Sequence, residues 1–165
     1  MSDDLVKTFH LEMLDRHALV PKEIPTDFTT ALVDPADPTS NQQLYRDVGS
    51  AWQWTDRLTW DNARWSNYAF RDNLNTWIGY WKGERAGYFE LESQQDGNVE
   101  IMYFGLLPEF IGMGLGGILL TVAIQSAWLK PDTRRVWVHT CSNDHKHALE
   151  NYLKRGFQLF KTEVA

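Results

Sequence analysis

The chain has 165 residues, 43% of them hydrophobic and 13% aromatic, which indicates one folded domain over residues 1–165 and excludes an intrinsically disordered protein. Its net charge of −6 excludes a typical basic nucleic-acid-binding protein. No apolar run has membrane-spanning length, the first residues lack a signal-peptide pattern, and a lone cysteine, Cys141, excludes an internal disulfide. We therefore expect a cytoplasmic protein that binds neither nucleic acid nor membrane.

The first part of the chain predicts one strand and two helices, separated by an irregular segment rich in proline. Asp61 or Thr59 is expected to cap the second helix. The predicted elements are a strand from Leu5 to Leu14, a loop from Asp15 to Asp37, a helix from Ser40 or Asn41 to Gly49, and a helix from Asn62 to about Asp72.

The rest of the chain predicts a three-stranded meander followed by two strand–helix crossovers. The elements are strands Trp77 to Trp81, Arg85 to Glu92 and Val99 to Leu106, a helix from Leu115 to Leu129, a strand from Arg134 to Cys141, a short helix capped by Asn143 or Asp144 and ending at Arg155, and a strand from Phe157 to Val164. The long helix is expected to bury one apolar face that includes Leu119 and Leu129. This order indicates an α/β (α+β) fold with a mixed, twisted sheet flanked by helices.

A glycine-rich loop opens the long helix. Glycine at several of its positions lets backbone N–H groups approach a ligand closely, and a helix N-terminus favours anions, so the loop predicts a phosphate-bearing ligand. The loop matches the dinucleotide pattern G-x-G-x-x-G, but it does not follow its strand immediately, and the next strand ends without an acidic residue. We therefore disfavour a nicotinamide-dependent oxidoreductase. The loop residues are Gly112, Met113, Gly114, Leu115, Gly116 and Gly117.

Two motifs resemble the GNAT superfamily of acyl-CoA-dependent N-acyltransferases. Leu106 to Gly116, LLPEFIGMGLG, is similar to the family's acyl-CoA signature Q/R-x-x-G-x-G/A, although Ile111 stands where the family has Gln or Arg. His145 to Phe157, HKHALENYLKRGF, is similar to the second signature, a short helix with Ala and Tyr that closes on Gly-Phe. The resemblance implies that acetyl-CoA is the acyl donor and that the loop backbone binds its pyrophosphate.

The resemblance also implies roles for the end of the central strand. The backbone of Phe104 and Leu106 would contact the pantetheine arm and polarise the thioester carbonyl, and Gly105 would mark the close approach; a plain packing glycine is the alternative. His145 would lie near the cofactor, and Ile111 would contact it without supplying a side-chain donor.

Glu100 and Tyr152 are the predicted catalytic residues. Some members of the family carry a base glutamate at the position of Glu100, and strand alternation places Glu100 on the face of Met102 and Phe104. Tyr152 matches the family tyrosine that faces the CoA sulfur and can donate a proton to the departing thiolate. The alternatives are a solvated glutamate and a tyrosine that only packs the helix on the sheet.

Trp52 and Trp54 precede the sheet where the family builds its acceptor pocket. Glu90 and Glu92, on the neighbouring strand, are the alternatives to Glu100 as base, or they bind a cationic acceptor. Aromatic and acidic side chains suit a cationic acceptor, although core packing explains the tryptophans equally well. The histidines near Cys141 have no zinc-site spacing, so no metal is predicted.

These observations predict an N-acetyltransferase that moves an acetyl group from acetyl-CoA to a primary amine of a small molecule or peptide, by direct attack in a ternary complex. The alternative is a non-catalytic acyl-CoA-binding or sensing module. A homodimer is left open, since dimers are common in the family.

Overall fold

One mixed sheet organises the part of the chain that the computed structural model describes, residues 5–50, 52, 54–144 and 147–164. Its seven strands are β1 (Lys7–Met13), β2 (Phe28–Leu32), β3 (Leu74–Trp81), β4 (Glu84–Ser93), β5 (Asn98–Leu106), β6 (Arg135–Cys141) and β7 (Gln158–Val164). They lie in the order β2-β3-β4-β5-β6-β1-β7, with β5 and β6 parallel and the other neighbours antiparallel. The predicted mixed sheet with flanking helices is confirmed.

The described helices are α1 (Pro38–Gly49), α2 (Asn62–Ala69), α3 (Leu115–Leu129) and α4 (Ala148–Lys154). The carboxylate of Asp37 caps α1 by accepting a hydrogen bond from the backbone N–H of Thr39. Asp61 caps α2, as predicted, by accepting from the backbone N–H of Arg64 at 2.8 Å. These caps mark the start of both helices.

The apolar helix α3 is buried on more than one side, because it packs against β4, β5 and β6. Leu119 and Ile124 are fully buried in the main core. Leu129, in contrast, is 83% exposed, so its predicted place on the buried face is wrong. The reason is that Leu129 follows the fully buried Ala127 by two residues, or roughly 200° of helix rotation, and so lies on the opposite side of the last turn.

Strand β2 lies inside the segment predicted as a loop, which also contains a short 3-10 helix at Arg16–Ala18. The prolines of this segment flank β2 and do not interrupt it, so the strand adds to the edge of the sheet beside β3. Phe28, the first residue of β2, is 4% exposed and is the only residue of this strand that is buried in the core. The prediction of an irregular segment throughout was therefore wrong for residues 28–32.

Helix α4 starts later than predicted, at Ala148, and the side chain of Asp144 does not cap it. The carboxylate of Asp144 instead accepts hydrogen bonds from the backbone N–H of Cys141 and the hydroxyl of Thr140. The acidic side chain therefore closes the turn after β6 rather than the helix.

The parallel strands β5 and β6 are paired over only part of their length. Their register runs from Asn98 opposite Arg135 to Ile101 opposite Val138. Beyond this point β5 continues to Leu106 beside β4, while β6 continues beside β1. The two strands therefore separate, and a cleft opens between their C-terminal halves.

A β-bulge at Met102 changes which side chains of β5 share a face. Glu100 lies opposite Glu92 and Tyr103 lies opposite Glu90, with Met102 as the extra residue. Since Glu90 and Glu92 lie on one face of β4, Glu100 shares the face of Tyr103. Phe104, opposite Phe89, lies on the other face, so the predicted alternation that grouped Glu100 with Phe104 is wrong.

We predict that Leu119→Ala lowers the free energy of unfolding by about 2–5 kcal/mol, because it leaves a cavity under a fully packed helix. Leu129→Ala, the matched control at the exposed end of α3, should change it by less than about 0.5 kcal/mol. Urea unfolding followed by circular dichroism measures both. Similar losses in the two variants would contradict the packing described for α3.

Candidate active site

The cleft between β5 and β6 is a cavity of about 770 Å³, large enough to take most of an extended cofactor. Most of the residues predicted to bind the cofactor line it: Phe104, Gly105, Leu106, Ile111, Gly112, Gly114, Leu115, Gly116 and Gly117. The predicted cofactor contact Met113 is half-exposed and is not part of the lining. His145 lies outside the residues that the structure describes.

The glycine loop brings the N-terminus of α3 to one wall of the cavity. Gly112 and Gly114 have φ values of +89° and +77°, a region that side chains rarely adopt, so glycine is needed at both positions. No side chain caps α3, so the N–H groups of its first turn are left for another acceptor. The local geometry therefore suits an anion at this wall.

Three cationic side chains line the same cavity: those of Lys22, Lys154 and Arg155. The ammonium of Lys22 donates a hydrogen bond to the backbone carbonyl of Gly114 at 3.0 Å. The buried Nε of Arg155 has no hydrogen-bond partner among the described residues. An uncapped helix and an arginine with a buried, unpartnered Nε fit a polyphosphate group, which needs several donors at once.

Lys22 is a site residue that the sequence did not reveal. It comes from the irregular segment, and its backbone N–H is held by the hydroxyl of Thr121 on α3. Its side chain lies so close to Gly117 that a Cβ at this glycine would lie 2.5 Å from it. Lys22 thus brings a positive charge to the glycine loop. Ile111, just before this loop, also lines the cavity, but its side chain has no hydrogen-bond donor.

Gly105 is explained by packing as well as by the cavity. A Cβ at this position would lie 2.5 Å from Cγ1 of Val48 on α1 and would also touch the ring of Trp54. The close approach is therefore made by α1 and by the loop that follows it, while the opposite side of the strand end faces the cavity. The packing interpretation is therefore supported by these contacts, and the approach of the pantetheine arm to Gly105 stays a prediction.

The hydroxyl-bearing side chain of Tyr152 lines the cavity and is 5% exposed. Its ring lies 6.1 Å from that of Phe104, so α4 places the tyrosine beside the end of β5. Burial raises the pKa of the Tyr152 hydroxyl well above its ordinary value, and the charge of Asp144 adds to the shift. The group therefore stays protonated at neutral pH, as a proton donor must.

Trp52 and Trp54 also line the cavity. The indole N–H of Trp54 donates to the carboxylate of Asp144 at 3.2 Å. This bond ties the loop after α1 to the turn after β6. The sequence indicates Asp144 only as a helix cap, and only the folded chain brings it to Trp54.

Glu100 lies away from the cavity, in the N-terminal half of β5. It is 5% exposed, accepts a hydrogen bond from Nε2 of Gln94 at 2.9 Å, and lies 3.2 Å from Nδ1 of His139. Phe104 lies four residues further on, roughly 13 Å along the strand. The structure therefore does not bring Glu100 into direct contact with Tyr152, and its catalytic role stays a prediction.

Glu90 and Glu92 lie on the face of the sheet that α1 and α2 cover. Glu90 is fully buried and forms an ion pair with Arg57, while Glu92 forms one with Arg71 at 2.9 Å. Neither glutamate lines the cofactor cleft. They are separated from it by Tyr103, whose ring touches that of Trp54.

The described residues contain no group of three or more His, Cys, Asp and Glu side chains that could hold a metal ion. Burial, followed by the charge of Asp144, raises the pKa of the Cys141 thiol, which disfavours a nucleophilic thiolate. Among the helices of the described part, none is long and apolar enough to cross a membrane.

A family model described as the acetyltransferase (GNAT) family matches residues 40–157. The chain belongs to this family. The match includes the cleft between β5 and β6, the glycine loop and Tyr152, and it confirms the resemblance seen in the two sequence motifs. Members of the family generally use an acyl-CoA as donor. No curated protein matches the sequence.

Solved structures of GNAT proteins share the fold. A GCN5-related N-acetyltransferase from Kribbella flavida is 19% identical with a TM-score of 0.68, over 97% of this chain and 58% of that one. One from Sphaerobacter thermophilus is 14% identical with a TM-score of 0.74, over 97% and 50%. An aminoglycoside acetyltransferase from an uncultured soil metagenomic sample is 17% identical with a TM-score of 0.64, over 81% and 90%. The chain thus spans about half the length of the first two.

We predict that His139 contributes a pH-dependent stability. The hydrogen bond to Glu100 raises the pKa of His139 above its usual value. Its contribution is therefore fully present below the unfolded pKa, near 6.5, and is lost as the pH rises through the folded pKa. The stability difference between wild type and His139→Asn should shrink with rising pH in urea titrations. A difference that grows with pH would contradict this.

Proposed function

We propose that the protein transfers an acetyl group from acetyl-CoA to a primary amine, by direct attack of the amine in a ternary complex. The observation that carries this proposal is the single cleft that has a cationic, uncapped helix start on one wall and the protonated Tyr152 hydroxyl at the end of β5. Such a cleft suits a ligand with phosphates at one end and a leaving thiolate at the other.

The proposed donor site uses backbone N–H groups of the glycine loop together with Lys22 and Arg155 for the pyrophosphate. The backbone at Phe104 and Leu106 would receive the pantetheine arm and polarise the thioester carbonyl. This is supported by the separation of β5 from β6, which leaves this half of β5 without a neighbour on one side. Ile111 would add apolar contact without a donor.

The reaction forms a bond between the amine nitrogen and the carbonyl carbon and breaks the bond from that carbon to sulfur. An ammonium with a pKa of about 10 must first lose a proton. We propose that Glu100 accepts it through bound water, since a direct contact would have to span roughly 13 Å of strand. Tyr152 then protonates the leaving sulfur and recovers a proton from the nitrogen, which becomes neutral as the amide forms.

We predict that Tyr152→Phe lowers kcat by about 100-fold or more, because it removes the proton donor and keeps the ring that packs on Phe104 and Phe157. The Kd for acetyl-CoA should change by less than about threefold. Steady-state CoA release and calorimetric titration separate the two quantities. Tyr80→Phe, a tyrosine far from the cleft, is the matched control. Unchanged turnover in Tyr152→Phe would exclude the acid role.

A thermal-shift titration with acetyl-CoA, CoA and NADH tests donor binding, and CoA release with a panel of amines tests transfer. We expect the melting temperature to rise only with the CoA species. Lys22→Met should weaken CoA binding by about tenfold, as expected for one charge-assisted contact to phosphate, while Lys82→Met on the distant β3–β4 turn should not. A shift with NADH alone would exclude the proposal.

The presence of Ile111 at the signature position favours one second candidate, a module that binds acyl-CoA without turnover. That candidate predicts saturable stabilisation by acetyl-CoA and no CoA release with any amine. The same experiment therefore separates the two functions.

A further inference from the structure

Arg57 lies inside a cage of aromatic side chains on the α1–α2 side of the sheet. Its guanidinium carbon is 4.0 Å from the ring centroid of Tyr68 and 4.2 Å from that of Tyr103. Three further rings complete the cage, those of Trp60 at 4.8 Å, Tyr45 at 5.7 Å and Trp65 at 5.7 Å. Aromatic faces arranged in this way attract organic cations.

The carboxylate of Glu90 forms the floor of this aromatic cage. It has no solvent exposure, and it lies 3.3 Å from Nη1 of Arg57. Asn41 on α1 and Tyr68 on α2 both donate hydrogen bonds to it. The charge is thus held in place by two helices, independently of the loop that supplies Arg57.

Arg57 enters the cage from the surface. Arg57 is 5% exposed and is the one buried side chain of its turn. Its exposed neighbours in the chain are Thr55, Asp56, Leu58 and Thr59. Its own backbone N–H donates to the hydroxyl of Tyr45 at 3.1 Å. The turn therefore inserts a single cationic group into a site built by other elements.

The hydroxyl of Tyr88 is a second observation that points to a ligand. It is fully buried and has no hydrogen-bond partner among the described residues. Tyr88 lies two residues from Glu90 on the same face of β4 and directly opposite Gly105, which lines the cofactor cleft. The unsatisfied hydroxyl thus lies on the cage side of the sheet, beside the strand end whose opposite side faces the cleft.

We propose that the cage around Glu90 is a cation-binding site for the acceptor, that the acceptor is an amine with a second cationic group, and that Arg57 fills the site until the acceptor displaces it. The inference rests on the proposed function, because it places the reactive amine at Gly105. The second cation lies at Glu90, about 7 Å away along the strand, and the acceptor also has to displace Val48 and Trp54 from the cage side of Gly105.

An internal occupant lowers the apparent affinity of the acceptor. The measured Kd equals the intrinsic Kd divided by the fraction of molecules in which Arg57 is outside the cage. Removing the Arg57 side chain removes this competition for an acceptor that has a second cation. The Kd of an amine with a neutral tail should not fall, because such an amine has no group that replaces the guanidinium.

The test compares agmatine, which carries an ammonium and a guanidinium, with butylamine, which has the same four-carbon chain and one ammonium. Both are titrated by calorimetry into protein saturated with CoA, and both are assayed for CoA release with acetyl-CoA. In Arg57→Ala we expect the Kd for agmatine to fall at least tenfold and that for butylamine to change less than twofold. Arg64→Ala, an exposed arginine 4.6 Å from the ring of Trp60, is the matched control and should change neither.

Replacing the floor of the cage provides the second control. Glu90→Gln in the Arg57→Ala background should abolish the gain for agmatine. Arg57→Gln, which can still hydrogen-bond to Glu90, replaces Arg57→Ala if the latter does not fold. An equal effect on both amines, no gain for agmatine, or failure of both variants to fold would overturn the inference, the last by showing that Arg57 is an obligatory part of the core.

The calorimetric Kd and the CoA-release assay together separate this inference from the proposed function. Tighter binding of agmatine to Arg57→Ala without CoA release from any amine would retain the cage and overturn the acetyltransfer. CoA release with butylamine, without a gain for agmatine in Arg57→Ala, would retain the acetyltransfer and overturn the cage.

Discussion

The short parallel pairing of β5 and β6 is the constraint on which the site depends. The strands are in register only as far as Ile101 and Val138, and each then follows a different antiparallel neighbour. This separation makes room for a cleft in the middle of a sheet without breaking either strand. Helix α3 connects the two strands, so its N-terminus necessarily lies at the C-terminal end of β5, where the cleft opens.

Opposite charges are distributed on the two sides of β5. The cleft side carries Lys22 and Arg155 beside the uncapped start of α3, and the α1–α2 side carries the buried carboxylate of Glu90. This arrangement matches the two partners of the proposed reaction, an anionic donor and a cationic acceptor, and keeps them on different faces of one strand. The acceptor's amine then needs to reach only the end of that strand.

The loop between α1 and α2 connects the two sides. Trp54 lines the cleft, contacts Tyr103 in the wall of the cage and donates to Asp144, and Arg57 follows three residues later. A displacement of Arg57 by a ligand would therefore act on the same loop that closes the donor cleft.

Local signals in the sequence determined the helix cap at Asp61, the β3–β4 turn at Lys82-Gly83 and the glycine loop, because caps, positive φ values and backbone access depend on residues close in the chain. The family motifs likewise identified Tyr152. Tertiary structure alone decided the contact of Lys22 with the glycine loop, the bulge at Met102 that regrouped Glu100, and the pairing of Arg57 with Glu90. Each of these joins residues that are distant in sequence or depends on strand register, and neither composition nor periodicity records which distant groups will meet.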